Sequence, residues 1–299
     1  MTETALPPAS INVCICTFRR ASVVDAARSV DGQTGIGAIP IRLTIVDNDE
    51  TDTLRDKIAD LAKELKLPVH YVHAPAKNIS IARNAALDSA DTDWLAFIDD
   101  DEIADADWLA NLVNHRDRAD VIVGRSQAVY GPELPDWLAR CDFHSNTIEA
   151  SPENAYTSNV LLNLKLVRQH AVRFREELGR TGGEDTVFFR QLARAGARFT
   201  YAPEAVVREP VPEARANMRW VRRRMYRAGQ THGMVCKTFD STEFAKLWVK
   251  TPAKMGFSAL MALVTRPGSD RSRKWEARAC LHAGALHYRM RPSILEEYG

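Results

Sequence analysis

Short, nearly all-apolar segments alternate with amphipathic ones through the first hundred residues. Ile11-Asn12-Val13-Cys14-Ile15-Cys16-Thr17-Phe18 is β-rich and almost continuously apolar, as in a strand buried on both faces of a parallel sheet. Arg19 to Val30 then predicts a helix, with Ser22, Val23, Val24, Ala27 and Val30 small or apolar. The alternation continues with a strand over Ile41 to Val46, a helix over Thr51 to Leu65 and a strand over Val69 to Val72. Ser80 is placed to cap a helix running to Ala90, and Trp94 to Ile98 forms a fourth strand. Strands alternating with helices predict right-handed βαβ units, hence an α/β fold with a mainly parallel twisted sheet flanked by helices.

The middle of the chain is less regular. Asp107 to Asp117 predicts a helix with Trp108, Leu109, Leu112 and Val113 on its apolar face, and Val121 to Gly124 a strand. Pro132, Pro135 and Trp137 mark a surface excursion, and Thr157 to Leu162 a strand returning to the core. Thr186 to Ala195 is an amphipathic helix, and Phe199 to Ala202 and Ala205 to Arg208 are two short strands. From Pro212 the composition changes to a helical extension. One helix carries Trp220, Arg222, Arg223, Arg224 and Arg227. Phe244 to Lys250 and Met255 to Val264 are apolar with flanking lysines, which suits either a packed helix or one lying in a membrane interface. Trp275 to Arg289 is the last amphipathic helix.

Composition narrows the class. With 299 residues and 45% apolar content the chain can bury a sizeable core, and a formal charge of +1 gives no reason to expect nucleic acid as a partner. The 5 cysteines lack metal-type spacing, and an odd number without a framework points to a reducing, cytoplasmic compartment. Cys14 and Cys16 alternate along their strand and share one face. Met1 to Ser10 has no leader pattern, and no apolar run reaches the roughly 20 residues that span a bilayer.

The chemistry concentrates at Asp99-Asp100-Asp101-Glu102, directly after the fourth strand. Four carboxylates there repel one another unless they are hydrated or hold a cation, and hard divalent ions such as magnesium or manganese prefer such oxygen ligands. A solvated acidic loop is the plainer explanation. Convergence favours the site. Thr17 and Arg19, then Asp47 and Asp49, follow the first two strands, and Arg83 and Asn84 lie in the first turn after the third. All would meet at the carboxyl edge of the sheet, where open α/β sheets bind ligands. Gly182-Gly183 precedes Glu184-Asp185 at a helix N-terminus, where carboxylates either cap the helix or act chemically. The Trp220 to Arg227 arginines form either a solvated basic face or an anion site for pyrophosphate or anionic lipid headgroups. Dinucleotide, P-loop, EF-hand, zinc and serine-elbow patterns are absent.

Val13 to Arg20, Asp47-Asn48-Asp49, Asn78 to Asn84, Phe97 to Glu102 and Gly183-Glu184-Asp185 together resemble the ordered motifs of family 2 glycosyltransferases, most closely the bacterial succinoglycan-type glucosyltransferases. The resemblance implies a GT-A fold over 1–210, with a nucleotide-binding half at about 11–125 and an acceptor half at about 126–210. Residues 211–299 would be a helical basic extension that associates with the membrane. It implies a metal-dependent, inverting transfer of one sugar from a UDP-sugar, UDP-glucose by the closest likeness, to a lipid-linked glycan at the inner face of the cell membrane. Thr17 and Arg19 would lie along the nucleotide, Asp47 at the uracil or ribose, and Arg83 at the base or diphosphate. Asp99 or Asp100 would face the ribose, Asp101 would ligate Mg2+ or Mn2+, and Asp185 would be the catalytic base. Glu184, Trp220, Arg222, Arg223, Arg224 and Arg227 would contact diphosphate, acceptor or lipid. The family's Q-x-x-R-W-type motif is missing, which speaks against processive synthesis. A nucleotidyltransferase making nucleotide-sugars would carry glycines after the first strand, which Thr17-Phe18-Arg19-Arg20-Ala21 lacks; a non-catalytic sugar-nucleotide binder would have no need of Asp185.

Overall fold

The computed structural model describes residues 10–146 and 155–295, so the reading of Met1 to Ser10 lies, Ser10 apart, outside the described residues. The first hundred residues form β1 (Ile11–Thr17), α1 (Val23–Asp31), β2 (Ile41–Asp47), α2 (Arg55–Glu64), β3 (Val69–His73), α3 (Ile79–Ser89) and β4 (Trp94–Asp99). Then come β5 (Ile103–Ala104), α4 (Trp108–Val113), β6 (Val121–Val129), α5 (Trp137–Cys141), β7 (Asn159–Asn163), α6 (Leu164–Gln169), α7 (Glu184–Arg194) and β8 (Phe199–Pro210). Three long helices follow, α8 (Met218–Phe239), α9 (Ser241–Val264) and α10 (Asp270–Met290).

The strands form one sheet in the order β3-β2-β1-β4-β7-β6-β8-β5. Parallel pairing holds across β3, β2, β1 and β4, as the βαβ pattern predicts. From β7 outward the pairing changes hand: β7 is antiparallel to both β4 and β6, and β5 to β8. The two short strands expected after Phe199 are one, running through Pro203. A proline is tolerated there because β5 covers only Val207 and Arg208, so the edge toward β5 has no strand beside Pro203.

The alternation of side chains explains the near-continuous apolar strands. On β1, Ile11, Val13 and Ile15 enter one core with α1 and α4, while Cys14 and Cys16 enter the other. On β4, Trp94, Ala96 and Ile98 join the first core, and Leu95 and Phe97 the second. The second core is built from α3 (Ala82, Ala86) and α7 (Phe188, Phe189, Leu192), so both helices lie on the face that receives every second residue of β4. Helix α3 is capped by Asn78, whose Oδ1 accepts from the backbone N–H groups of Ser80 and Ile81; the expected cap, Ser80, is inside the first turn and fully buried.

The chain gathers into two compact units. Of the described residues, one comprises 10–127, 146, 155–180 and 184–209; the other comprises 128–145, 181–183 and 210–295. In the second unit α8 and α10 pack at backbone distance. Gly229 faces the carbonyl of Leu281 and Gly284 that of Tyr226, and a β-carbon at either glycine would overlap the facing carbonyl oxygen. Helix α9 joins the two expected apolar stretches into one helix across Pro252. No helix among the described residues is long and apolar enough to cross a membrane.

Candidate functional site

The carboxyl ends of β1, β2 and β4 bring together the side chains singled out by position. At the end of β1, Thr17 is buried and donates from Oγ1 to Asp100 Oδ2 at 2.7 Å. The next turn contains Arg19 with a left-handed φ of 56°. Arg19 grips Asp49 through two nitrogens, both at 2.8 Å, and the neighbouring Arg20 turns to the acidic run. Arg20 Nη1 donates to Asp100 Oδ1 at 3.0 Å and also to Asp101 Oδ2. At the end of β2, buried Asp47 accepts from the Asp49 N–H at 3.0 Å and from the Tyr71 hydroxyl at 2.8 Å. A cavity of about 460 Å³ opens here, lined by Arg19, Arg20, Asp47, Asp49, Leu54 and Lys57 among others.

The acidic run divides by side. Asp100 takes the Thr17 hydroxyl and the guanidinium of Arg20, which itself lines the cavity. Asp99 has the parity of Leu95 and Phe97 and is directed to the α3 and α7 face, where it feels the charge of Arg83. Withdrawal from water pushes the Asp99 carboxyl up to about 7; Arg83 opposes the rise, and Asp101 and Asp100 add to it. Glu102, fully buried, accepts from the Asp99 N–H at 3.1 Å, and burial, followed by the Asp99 charge, holds its carboxyl well above the usual range. The plain solvated loop is therefore not what folds: Asp100 and Glu102 are buried.

Helices α3 and α7 supply the other half of the unit's polar centre. Two glycines with positive φ, Gly182 at 83° and Gly183 at 88°, turn the chain into α7 so that Glu184 and Asp185 fall in its first turn. Glu184 forms a buried ion pair with Arg83 of α3, whose guanidinium lies 5.7 Å from the Phe174 ring centre. Burial disfavours the Arg83 charge, but Glu184, then Asp99 and Asp185, outweigh it and keep the guanidinium protonated. Burial likewise pushes Glu184 up to about 7 and raises Asp185, with Arg83 opposing both. Asp185 Oδ1 accepts from the Thr186 N–H at 2.6 Å and from its hydroxyl at 3.3 Å.

Thr17, Arg19, Asp47, Arg83, Asp99, Asp100, Asp101, Glu184 and Asp185 thus all belong to the first unit. Trp220, Arg222, Arg223, Arg224 and Arg227 lie on α8 of the second. There the Trp220 ring stacks on His144 at 4.6 Å between centres, with Arg224 5.1 Å away, and Arg222 bonds Glu276 of α10 at 2.7 Å. Sequence inspection missed Arg20, Tyr71 and Lys57. For Arg20 the signal was its adjacency to Arg19 just beyond β1, but the left-handed turn that aims the two arginines differently leaves no trace in hydropathy.

No group of three or more His, Cys, Asp or Glu among the described residues is arranged to hold a metal by itself. The donor set nevertheless fits a hard divalent ion of the magnesium type, which takes one or two carboxylates and completes its shell with water and phosphate oxygens. Asp101 is partly exposed at 28%, and a cation, the Arg20 guanidinium, already rests against it and Asp100.

Residues 12–175 match Glycosyl transferase family 2. The chain is 36% identical to the succinoglycan biosynthesis protein ExoM of Rhizobium meliloti, over 97% of this chain and 96% of that one. It is 26% identical to a glucosyl-dolichyl phosphate glucuronosyltransferase of Haloferax volcanii, over 71% and 72% of the two chains. In fold it is similar to the mannosyltransferase PcManGT of Pyrobaculum calidifontis, solved with GDP-Man and Mn2+, with TM-score 0.66, 18% identity and 96% and 88% of the chains covered. It is also similar to S. aureus TarS solved with UDP-GlcNAc, with TM-score 0.54, 16% identity and 94% and 92% covered.

Proposed function

Since the chain belongs to glycosyl transferase family 2, we propose that it moves a single sugar from a UDP-sugar, UDP-glucose foremost, to a hydroxyl of a lipid-linked glycan with inversion at the anomeric carbon. Sugar transfer in polysaccharide synthesis is supported by the near full-length match to the succinoglycan protein. The observation that carries the mechanism is the Arg83 hub, whose charge acts at once on Asp99 after β4 and on Asp185 at the start of α7.

Asp47 and the cavity at the ends of β1 and β2 receive the nucleoside, with Arg19 lining it and Thr17 alongside the nucleotide through Asp100. Asp100, already hydrogen-bonded on that side, faces the ribose. Asp101 would hold Mg2+ or Mn2+, which would supply positive charge against the departing diphosphate. A GT-A neighbour solved with Mn2+ supports this. Arg20 lies against the same carboxylates and offers a second positive charge. Asp185 takes the proton of the attacking hydroxyl. Burial raises its carboxyl, which makes it a stronger base than an ordinary aspartate, and the Arg83 charge opposes that rise. The basic α8 and the other C-terminal helices serve peripheral contact with the inner face of the cell membrane.

The test is incubation with UDP-, GDP- and dTDP-sugars, Mn2+ and a lipid extract, followed by mass spectrometry. The expected product carries one added hexose from the UDP donor and needs both metal and Asp101. Transfer from another nucleotide, undiminished activity of Asp101→Ala in chelator, or repeated addition would overturn the corresponding part. Tight donor binding with neither transfer nor donor hydrolysis would favour a sugar-nucleotide binder.

A further inference from the structure

Helix α9 is built inside out. Its buried positions include Thr251 and Ser258 beside Leu247, whereas Val249, Phe257, Leu260, Leu263 and Val264 are exposed, Val249 at 78% and Leu263 at 73%. At 3.6 residues per turn these five fall within about a third of the circumference, opposite the buried three. A helix packed in water shows the reverse pattern. Lys250 and Lys254 line one edge of the apolar stripe and Lys246 stands at its N-terminal end; Glu243 pairs with Lys246 at 2.7 Å and with Lys250 at 3.1 Å, leaving the three lysines a net charge of +2. At the other end, two residues beyond Val264, is Arg266. It rims a cavity of about 480 Å³ shared with Trp137, Arg140, Asp270 and Arg273. Three guanidiniums face one carboxylate there. Asp270 is taken up by Arg140, at 2.6 and 3.3 Å, and by Arg273, at 3.1 Å, while the Arg266 side chain makes no ion pair among the described residues. Arg273 also lies 4.7 Å from the Trp137 ring centre, an aromatic wall beside a positive pocket.

We infer that α9 docks on an anionic phospholipid bilayer with its exposed stripe in the acyl boundary, and that the Arg140–Arg266–Arg273 cavity takes the phosphate of a lipid headgroup. Charge complementarity selects this occupant. An apolar stripe edged by lysines and ended by a pocket of net charge +2 (three arginines against one aspartate) matches a surface that is apolar below and phosphate-bearing above. The inference deepens the membrane contact in the proposed function and gives it a place on the molecule.

The experiment is co-sedimentation of the full chain with phosphatidylcholine vesicles, with and without phosphatidylglycerol. Wild type should partition onto the anionic vesicles only. Arg266→Glu should weaken partitioning at least about fivefold, the factor expected for one basic side chain at an anionic leaflet. The double variant Leu260→Glu, Leu263→Glu should abolish it. Both changes fall on exposed side chains, so thermal melting should be unchanged. Equal sedimentation of wild type and both variants would overturn the inference. So would Arg266-dependent binding of free inorganic pyrophosphate without vesicle binding, or a dimer that the double variant dissociates. UDP binding by calorimetry is run alongside: its absence in wild type would sink the transferase reading while leaving the vesicle result standing.

Discussion

The guanidinium of Arg83 and the carboxylate of Glu184 form a buried ion pair that ties α3 to the first turn of α7, across 101 positions of sequence. Each helix reaches the sheet through the same apolar core, and both side chains of the pair are buried. Removing the positive partner strands a buried carboxylate. Arg83→Ala should therefore lower unfolding stability by about 3–5 kcal/mol, read as a drop in the urea midpoint. Glu184→Gln, which keeps a hydrogen-bond acceptor, should cost clearly less. Equal losses would show that burial and not charge pairing governs the contact.

Asp185→Asn should bind UDP and Mn2+ as wild type does yet turn over about 10²- to 10⁴-fold more slowly. The wild-type pH profile carries the same assignment. A base works deprotonated, so kcat/KM should fall as pH drops through the Asp185 pKa. Burial raises that pKa, so the acid limb should stand above the roughly 3.9 of an ordinary aspartate. An acid limb at the ordinary value, or a near wild-type rate for Asp185→Asn, would remove Asp185 from the chemistry.

Asp99 and Asp100 should behave differently although they are adjacent. Asp100→Asn should weaken UDP binding, because that side chain holds Arg20, which lines the cavity. Asp99→Asn should leave UDP affinity close to wild type and lower turnover, because Asp99 interacts with Arg83. Calorimetry with UDP and single-turnover rates separate the two; the opposite assignment follows if the effects exchange.

Arg20 occupies the carboxylates that a metal needs. Arg20→Gln should tighten Mn2+ binding in the absence of nucleotide, by about tenfold to a hundredfold, since hydrogen bonds to charged groups count for about 1.5–3 kcal/mol. Titration followed by the Mn2+ paramagnetic resonance signal reads this directly. Unchanged affinity would mean that Arg20 does not compete with the ion.

Gly284→Ala places a β-carbon against the Tyr226 carbonyl, between α10 and α8. Overpacking of this kind should destabilise by about 1–3 kcal/mol. Alanine at Gly268, where nothing lies near the added atom, is the control for packing; its φ of 80° leaves backbone strain as the only cost there.

What the sequence reveals and what it hides divide along physical lines. The βαβ half is legible because apolar runs such as Ile11 to Phe18 report burial on both faces, and because polar residues at strand ends mark the sheet's carboxyl edge. The change to antiparallel pairing at β7 is not legible, since periodicity gives the faces of a strand and not its neighbour or direction. The helix cap moved from Ser80 to Asn78 because both residues can cap, and only backbone geometry chooses between them. Proline at 203 and at 252 suggests breaks that tertiary contacts override. Within the site, Arg19 was the residue to notice, and the left-handed turn it adopts hands the acidic run to Arg20 instead.

The opposite aims of Asp99 and Asp100 have an evolutionary corollary. Deleting or inserting a single residue between Trp94 and Ile98 would rotate every later side chain of β4 to the other side of the sheet, exchanging the roles of the two aspartates and burying the wrong hydrophobes. Substitutions in β4 can be compensated one at a time; a length change cannot. Among relatives, gaps should therefore collect in the connection at 32–40 and avoid β4 altogether.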